Sequence, residues 1–280
     1  MAAVSLVAFG AVISSCQNQY RVKTAKNEEK KIFNLKYGPS SYQVMDVFLP
    51  AKREKEDPAV IIVHGGSWKI GRKEHMKMIQ NFLHRQNIAT VNINYRLVNR
   101  KITYKDQVED IGLAIRKLKE IAEEEGISNN NYILLGESSG AHIALLYGYQ
   151  NPVQIKKIIS LSGPTDFYTG KYMNSFYSRY SSRTIQDVVG VKFDRDNLSD
   201  EFKKASPVAQ VSNVPTLLFQ GDRDILVHRT QASTLDSVLE EKEIEHRLIL
   251  MKNTGHVPRL LNKRKREEII FPNILEWIKK

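Results

Sequence analysis

Hydrophobic residues along this chain alternate between short runs rich in Val, Ile and Leu and longer stretches with helical spacing. Continuous apolar runs such as 60–63 are typical of strands that are buried on both faces of a sheet. Apolar positions three and four residues apart, as within 106–125, are typical of amphipathic helices. The pattern predicts strands at 43–49, 60–63, 88–95, 132–135, 155–161, 215–220 and 248–251, and helices at 73–86, 106–125, 141–147 and 267–280.

This alternation of strands and helices predicts an α/β fold with a mostly parallel central sheet and helices on both faces. The alternation stops at about residues 164–205, which we interpret as a helical cap insertion over the strand ends. The segment contains four aromatic residues spaced by four: Tyr168, Tyr172, Phe176 and Tyr180. This spacing predicts a single aromatic helix face, which can line a substrate pocket or pack the cap onto the domain.

With 41% hydrophobic and 26% charged residues, the 280-residue chain has the composition of a globular protein that buries a large core. Its single cysteine, Cys16, excludes an intrachain disulfide, and no Cys/His group has metal-site spacing, so we expect neither a metal nor a cofactor. The net charge of +11 is compatible with nucleic acid or an anionic membrane. The densest basic run, at 263–266, continues into two glutamates, as is typical of a solvated helix face, and we expect no nucleic-acid partner.

The first fifteen residues contain no charged side chain and have the length of a signal-peptide apolar region, which is too short to span a membrane. They end at Ile13-Ser14-Ser15-Cys16, which resembles a bacterial lipobox, although no Lys or Arg precedes the apolar run. The resemblance implies lipidation of Cys16 and a lipid-anchored or secreted protein of the bacterial cell envelope. We expect the polar, lysine-rich residues 16–40 to form a tether, and residues 41–280 to form the folded domain.

A serine stands between two glycines in the segment Gly136-Glu137-Ser138-Ser139-Gly140. An apolar strand precedes this segment and an apolar helix follows it, which predicts a sharp turn with Ser138 exposed at its tip. The glycines are needed because side chains at those positions would collide with neighbouring backbone. Ser138 is therefore a candidate nucleophile, whereas the alternative is a Gly/Ser-rich turn with no chemical role.

A nucleophilic serine needs a histidine as general base and an acid that orients this histidine. His256 is our candidate base, because it follows the last predicted strand at the edge where catalytic groups of parallel sheets gather. The loop after the strand at 215–220 supplies two acids. We predict that Asp224 orients the histidine and keep Asp222 as the alternative, because the aspartate nearer the strand suits the turn itself. Asp166 is a third candidate, in a segment that favours an Asx turn.

Two backbone amides are also needed to stabilise the oxyanion of a tetrahedral intermediate. One predicted donor is Ser139, which directly follows the nucleophile. The other lies in His64-Gly65-Gly66-Ser67-Trp68, where glycines allow the backbone to approach a substrate closely. We expect Gly66 to donate, with Gly65 beside it and Ser67 as a further alternative.

Together, these motifs resemble those of the α/β-hydrolase serine esterases and lipases. The resemblance covers residues 43–280, and it rests on His-Gly-Gly-Ser-Trp at 64–68, Asn-Tyr-Arg at 94–96, Gly-Glu-Ser-Ser-Gly-Ala-His at 136–142, Gly-Asp-Arg-Asp at 221–224 and Gly-His at 255–256. The first motif is similar to that of the H-G-G-x-W branch, which includes carboxylesterases, kynurenine-formamidase-like enzymes and isoprenylcysteine-methylesterase-like proteins.

The resemblance implies a serine hydrolase that cleaves carboxylic esters through Ser138, Asp224 and His256, in the chain order of the family, with an acyl-enzyme intermediate. A formamidase or amidase with the same three residues is the alternative, and a non-catalytic binding protein on the same scaffold is a third hypothesis. We expect the substrate to be a small-molecule or carbohydrate-linked ester.

Overall fold

The computed structural model describes residues 28–280, so the predicted signal peptide (residues 1–15) and Cys16 lie outside the described residues. The described strands are β1 (Lys30–Lys36), β2 (Val44–Leu49), β3 (Ala59–Val63), β4 (Thr90–Ile93), β5 (Tyr132–Glu137), β6 (Ile155–Leu161), β7 (Thr216–Gly221) and β8 (His246–Met251). They form one sheet in the order β1-β2-β4-β3-β5-β6-β7-β8.

Neighbouring strands from β4 through β3 to β8 pair in parallel, whereas β1 with β2 and β2 with β4 pair antiparallel. The predicted α/β fold with a mostly parallel sheet is therefore confirmed. The predicted strands are all present, with bounds that differ by at most two residues. The parallel arrangement places the carboxyl ends of β3, β5, β7 and β8 at the same edge of the sheet, which is where the candidate site residues follow.

The helices of the described part connect the strands or follow the last one. They are α1 (Lys77–Arg85), α2 (Tyr104–Glu125), α3 (Ser139–Gln150), α4 (Gly170–Met173), α5 (Phe176–Val189), α6 (Asp200–Lys204), α7 (Pro207–Gln210), α8 (Thr230–Glu241), α9 (Pro258–Leu261), α10 (Lys263–Lys265) and α11 (Phe271–Lys279). A 3₁₀ turn precedes α1 and a π-helical turn precedes α11. None of the helices in residues 28–280 is both long and apolar enough to span a bilayer.

Two hydrophobic layers hold the sheet, one on each face. Ile61 and Val63 of β3 belong to the larger layer, with apolar residues of α2, α3 and α8. Val60 and Ile62 belong to the other layer, with apolar residues of α1 and α11. Because successive strand side chains point to opposite faces, this two-sided burial requires the continuous apolar run that marks β3 in the sequence.

One predicted boundary is wrong, because residues 30–36 of the predicted tether form the edge strand β1. The strand carries several lysines and is largely exposed. Charged side chains are common on edge strands, where they oppose pairing with other chains. Because lysines are also typical of a tether, the sequence pattern did not indicate a strand here. The pairing with β2 is evident only in the structure.

The insertion predicted at 164–205 lies between β6 and β7 and contains α4, α5 and α6. The predicted single aromatic face is wrong, because the chain breaks between α4 and α5, where Ser175 caps the second helix. Tyr172 is buried, whereas Phe176 and Tyr180 are exposed and pack edge to face with ring centroids 4.6 Å apart. The aromatic residues therefore divide between the interior of the cap and its surface.

Candidate active site

Ser138 lies at the corner between β5 and α3 with φ 53° and ψ −123°, a strained conformation for a residue with a side chain. The two flanking glycines permit this corner. A Cβ at Gly136 would lie 2.4 Å from the carbonyl oxygen of Gly140, and a Cβ at Gly140 would lie 2.3 Å from the carbonyl oxygens of Val63 and His64. The backbone at the start of α3 therefore excludes a side chain at Gly136, and the end of β3 excludes one at Gly140, within the turn at 136–140 that we call the elbow.

His256 joins Ser138 and Asp224 in one chain of hydrogen bonds. Its Nε2 lies 2.9 Å from the Oγ of Ser138, and its Nδ1 lies 2.6 Å from an Oδ of Asp224. Since an ionised carboxylate only accepts hydrogen bonds, Nδ1 carries the proton of the neutral ring. Nε2 is then free to accept the hydroxyl proton of the serine, which is the arrangement that a general base needs.

Asp224 is buried, and both of its carboxylate oxygens accept hydrogen bonds. Oδ1 accepts from the backbone amides of Leu226 at 3.0 Å and Val227 at 2.9 Å. Oδ2 accepts from the side-chain amide of Gln220 at 3.1 Å in addition to His256. These donors stabilise the ionised carboxylate and fix its orientation toward the imidazole.

The two alternative acids have other partners. Asp222 accepts from the backbone amide of Thr254 at 3.1 Å, and this hydrogen bond lowers the pKa of Asp222 below its ordinary value. It therefore ties the loop after β7 (residues 222–227, called the β7 loop below) to the loop that carries His256. Asp166 accepts from two amides that follow it in the chain, as in an Asx turn. Of the three candidate acids, Asp224 is the one that hydrogen-bonds the histidine.

Gly65 and Gly66 bring the loop after β3 against the elbow. A Cβ at Gly65 would lie 2.8 Å from the carbonyl oxygen of Glu137 and 3.1 Å from the Cβ of Ser138. Gly66 has φ 135°, which a residue with a side chain rarely adopts. Within residues 28–280, the amides of Gly66 and Ser139 donate to no protein acceptor, so both remain available to a substrate oxygen.

A buried histidine that the sequence analysis left aside supports this loop. The Nε1–H of Trp68 donates to Nδ1 of His142 at 3.0 Å, and Nε2 of His142 donates to the carbonyl of Ala205 at 2.8 Å. Burial lowers the pKa of His142 to about 4, so the ring is neutral, as these two hydrogen bonds require. His142 thus connects this loop (residues 64–68, called the oxyanion loop below for its predicted role), the helix α3 and the end of the cap.

The sequence motifs also gave no indication of a buried ion pair between Glu137 and Arg259. Glu137 precedes Ser138, and Arg259 follows His256 by three residues. The pair forms a salt bridge with an Nε–Oε2 distance of 2.8 Å. The available sequence signal was a charged residue beside each of two candidate catalytic groups, but nothing in the sequence shows that they meet.

A cavity of about 210 Å³ opens in front of Ser138 and His256. The oxyanion loop contributes Trp68 to its wall, and α5 contributes Tyr177 and Ile185. Ile225 and Leu226, from the β7 loop, close the side near His256 and are themselves largely exposed. The space is smaller than a typical drug-sized ligand site.

The parallel sheet, the serine at a strand-to-helix corner and the histidine after the last strand define the protein as an α/β-hydrolase of the serine esterase type. The resemblance inferred from the sequence motifs is thereby confirmed. The chain belongs to the BD-FAE family, whose profile matches residues 45–239.

Curated relatives include the isoprenylcysteine alpha-carbonyl methylesterase ICME of Arabidopsis thaliana, which is 25% identical over 237 residues, covering 79% of this chain and 55% of the relative. The kynurenine formamidase of Salmo salar is 24% identical over 148 residues, covering 51% of this chain and 49% of the relative. The chain thus spans about half the length of these two relatives.

Solved structures share the fold over nearly the whole chain. A truncated carbohydrate esterase from gut microbiota aligns with a TM-score of 0.75 at 20% identity, covering 91% of this chain and 98% of that one. Esterase B from Lactobacillus rhamnosis aligns with a TM-score of 0.73 at 19% identity, covering 95% of this chain and 92% of that one. At such identities the likeness establishes the fold, and the chemistry has to be argued from the site.

Proposed function

We propose that this protein hydrolyses carboxylic esters, with Ser138 as nucleophile, His256 as general base and Asp224 as the acid that orients the histidine. The observation that carries the proposal is the continuous hydrogen-bonded chain from Oγ of Ser138 through the imidazole to the buried carboxylate of Asp224. The esterase names of several relatives and structural neighbours support the same class of reaction.

In the first half of the proposed reaction, Nε2 of His256 takes the hydroxyl proton as Oγ of Ser138 attacks the ester carbonyl. The negative charge that develops on the carbonyl oxygen is stabilised by the amides of Gly66 and Ser139. The intermediate collapses when His256 passes the proton to the alcohol oxygen, which leaves the acyl group on Ser138. Water then attacks the acyl-enzyme with His256 again as base, which releases the acid and restores the serine.

A formamidase is the second candidate, because the same groups act equally on an amide carbonyl and one relative is a kynurenine formamidase. The two activities differ in the leaving group, which is an amine in one reaction and an alcohol in the other. The cavity wall of Tyr177, Ile185 and Trp68 suits small acyl groups and does not separate the two classes. A binding protein on the same scaffold is a weaker proposal, since none of the proposed catalytic groups is missing.

We also propose that Cys16 carries a lipid anchor that holds the enzyme at the bacterial cell envelope. The support is the sequence Ile-Ser-Ser-Cys after an uncharged apolar segment. An enzyme in this place would meet small-molecule or carbohydrate-linked esters outside the cell, and the fold likeness to a carbohydrate esterase is compatible with such substrates.

The test is hydrolysis of p-nitrophenyl acetate and of N-formylkynurenine by the wild type and by Ser138→Ala. We expect the variant to lose essentially all turnover of either substrate, together with covalent labelling by a fluorophosphonate. Ser237→Ala, on the surface of α8, is the matched control and should keep full activity and labelling. Full activity of a folded Ser138→Ala protein would refute the mechanism, whereas an unlabelled, inactive wild type would favour the binding protein.

A further inference from the structure

Arg259 is the largest fully buried side chain of the described residues, with 1% of its surface exposed. Its Nε donates to one carboxylate oxygen of Glu137 at 2.8 Å, and its Nη2 donates to the other at 2.9 Å. Glu137 is buried as well. The contact is therefore a bidentate ion pair, which fixes the orientation of the two side chains as well as the distance between them.

The two members of this pair belong to different parts of the site. Glu137 ends β5 directly before Ser138, whereas Arg259 lies in α9, three residues after His256. Nη2 of Arg259 also donates to the carbonyl of His75 at 3.3 Å, in the 3₁₀ turn that follows the oxyanion loop. The guanidinium thus links its own segment, which carries His256, to the end of β5 and to the 3₁₀ turn.

The loop that carries His256 has two kinds of anchor. Thr254 is hydrogen-bonded to the β7 loop through Asp222 and Arg223, which holds the histidine near Asp224. Those bonds do not fix its distance from the serine. Among the described residues, the hydrogen bonds between segment 254–261 and the elbow are those of Arg259 and of His256 itself.

Stability alone gives little reason for such a pair. Burying two charges costs desolvation energy, and apolar residues of similar size often stabilise a protein as well or better. Nη1 of Arg259 adds to the cost, because it is buried without a hydrogen-bond partner in residues 28–280. What an ion pair offers over apolar packing is a defined geometry between the two backbones that it joins.

We propose that Glu137 and Arg259 are positioning residues that set the distance between Ser138 and His256. The proposal rests on the esterase function proposed above. Among the charged residues on the segments around His256, Asp224 hydrogen-bonds the ring, Asp222 and the backbone of Arg223 bind Thr254, and Glu137 pairs with Arg259. Within this set, Glu137 and Arg259 balance each other, so removing one of them leaves a net charge beside the base.

The test begins with Glu137→Gln, which leaves Arg259 as a buried cation that cannot lose its proton. The cation opposes protonation of the nearby imidazole, so the acid limb of the kcat/KM profile should move to lower pH by ~0.5 unit or more. The loosened loop should lower kcat by roughly 10-fold or more. KM should stay within about twofold, because neither residue lines the cavity in front of Ser138.

The double variant Glu137→Gln/Arg259→Met removes both charges and the tether. Its acid limb should return to the wild-type position, while its kcat stays low. Asp46→Asn is the matched control, since it breaks another buried pair, with Lys73, that contacts neither Ser138 nor His256. It should lower thermal stability without moving the pH profile.

A Glu137→Gln protein that is merely less stable, with wild-type kcat and an unmoved acid limb, would overturn the proposal. If that variant does not fold, the double variant decides, because wild-type kcat there would show that the geometry does not need the pair. Failure of the proposed function gives a different result, since the wild type itself would then show no turnover that depends on Ser138.

Discussion

The choice between the two acids of the β7 loop can be tested by replacing each with asparagine. In Asp224→Asn, the side-chain oxygen must face the amides of Leu226 and Val227, which both donate to Oδ1. The new NH₂ group then takes the place of Oδ2 and faces Nδ1 of His256. Because an NH₂ group only donates there, Nδ1 must accept, and the ring proton moves to Nε2, where the imidazole can no longer take the serine proton.

The expected loss in kcat follows from this change of tautomer. Fixing the ring in the inactive tautomer costs roughly 10⁴-fold in serine hydrolases of this design, which is about 5.5 kcal/mol of transition-state stabilisation. The side-chain amide of Gln220 does not reverse this orientation, because it is one donor at the Oδ2 position against two backbone amides at Oδ1, and it loses its acceptor in the variant. Asp222→Asn should cost less than about threefold, since its side-chain oxygen still accepts from Thr254.

The assay is initial-rate hydrolysis of p-nitrophenyl acetate over a range of pH, with far-ultraviolet circular dichroism to show that both variants are folded. Ser138→Ala sets the background rate. Comparable losses in the two asparagine variants, or a larger loss in Asp222→Asn, would refute the assignment of Asp224 and the tautomer argument with it.

Two further predictions concern acid stability and location. Burial lowers the pKa of His142 to about 4, so the unfolded chain binds more protons than the folded protein below about pH 6.5. Acidification from pH 7 to 5 should therefore lower the unfolding free energy by about 2 kcal/mol through this residue. In His142→Gln, which keeps an acceptor for Trp68 and a donor for Ala205, urea titrations should no longer show this contribution, and an unchanged pH dependence would contradict the argument. Cys16→Ser should move the protein from the membrane fraction to the soluble fraction, and an unaltered distribution would exclude the anchor.

The buried pairs around the site are separate from the chemistry that the sequence motifs describe. His142 connects Trp68 of the oxyanion loop with the end of the cap. Arg259 connects the histidine loop with the nucleophile strand. Each link fixes a connecting segment at the carboxyl edge of the sheet, the oxyanion loop in one case and the segment after β8 in the other, and such segments have few backbone hydrogen bonds of their own. The position of the catalytic groups therefore depends on side chains that touch no substrate.

The sequence by itself determined the order and type of the main elements. Strands buried on both faces must be continuously apolar, so β3 and β5 were visible as short runs. The elbow was visible as well, because only glycine fits where a Cβ would lie within 2.4 Å of neighbouring carbonyl oxygens. Once the strands are parallel, the residues after their carboxyl ends meet at one edge, which brought Ser138 and His256 forward as candidates.

Only the tertiary structure decided which polar side chains meet. Asp222 and Asp224 are two residues apart and have the same side chain, and the fold of their loop alone turns one toward His256 and the other toward Thr254. Glu137 and Arg259 are separated by 122 positions in the chain, and their contact depends on how the segment after β8 packs against β5. Hydrophobic periodicity is a local property of the chain, whereas the pairing of buried polar groups depends on the packing of distant segments.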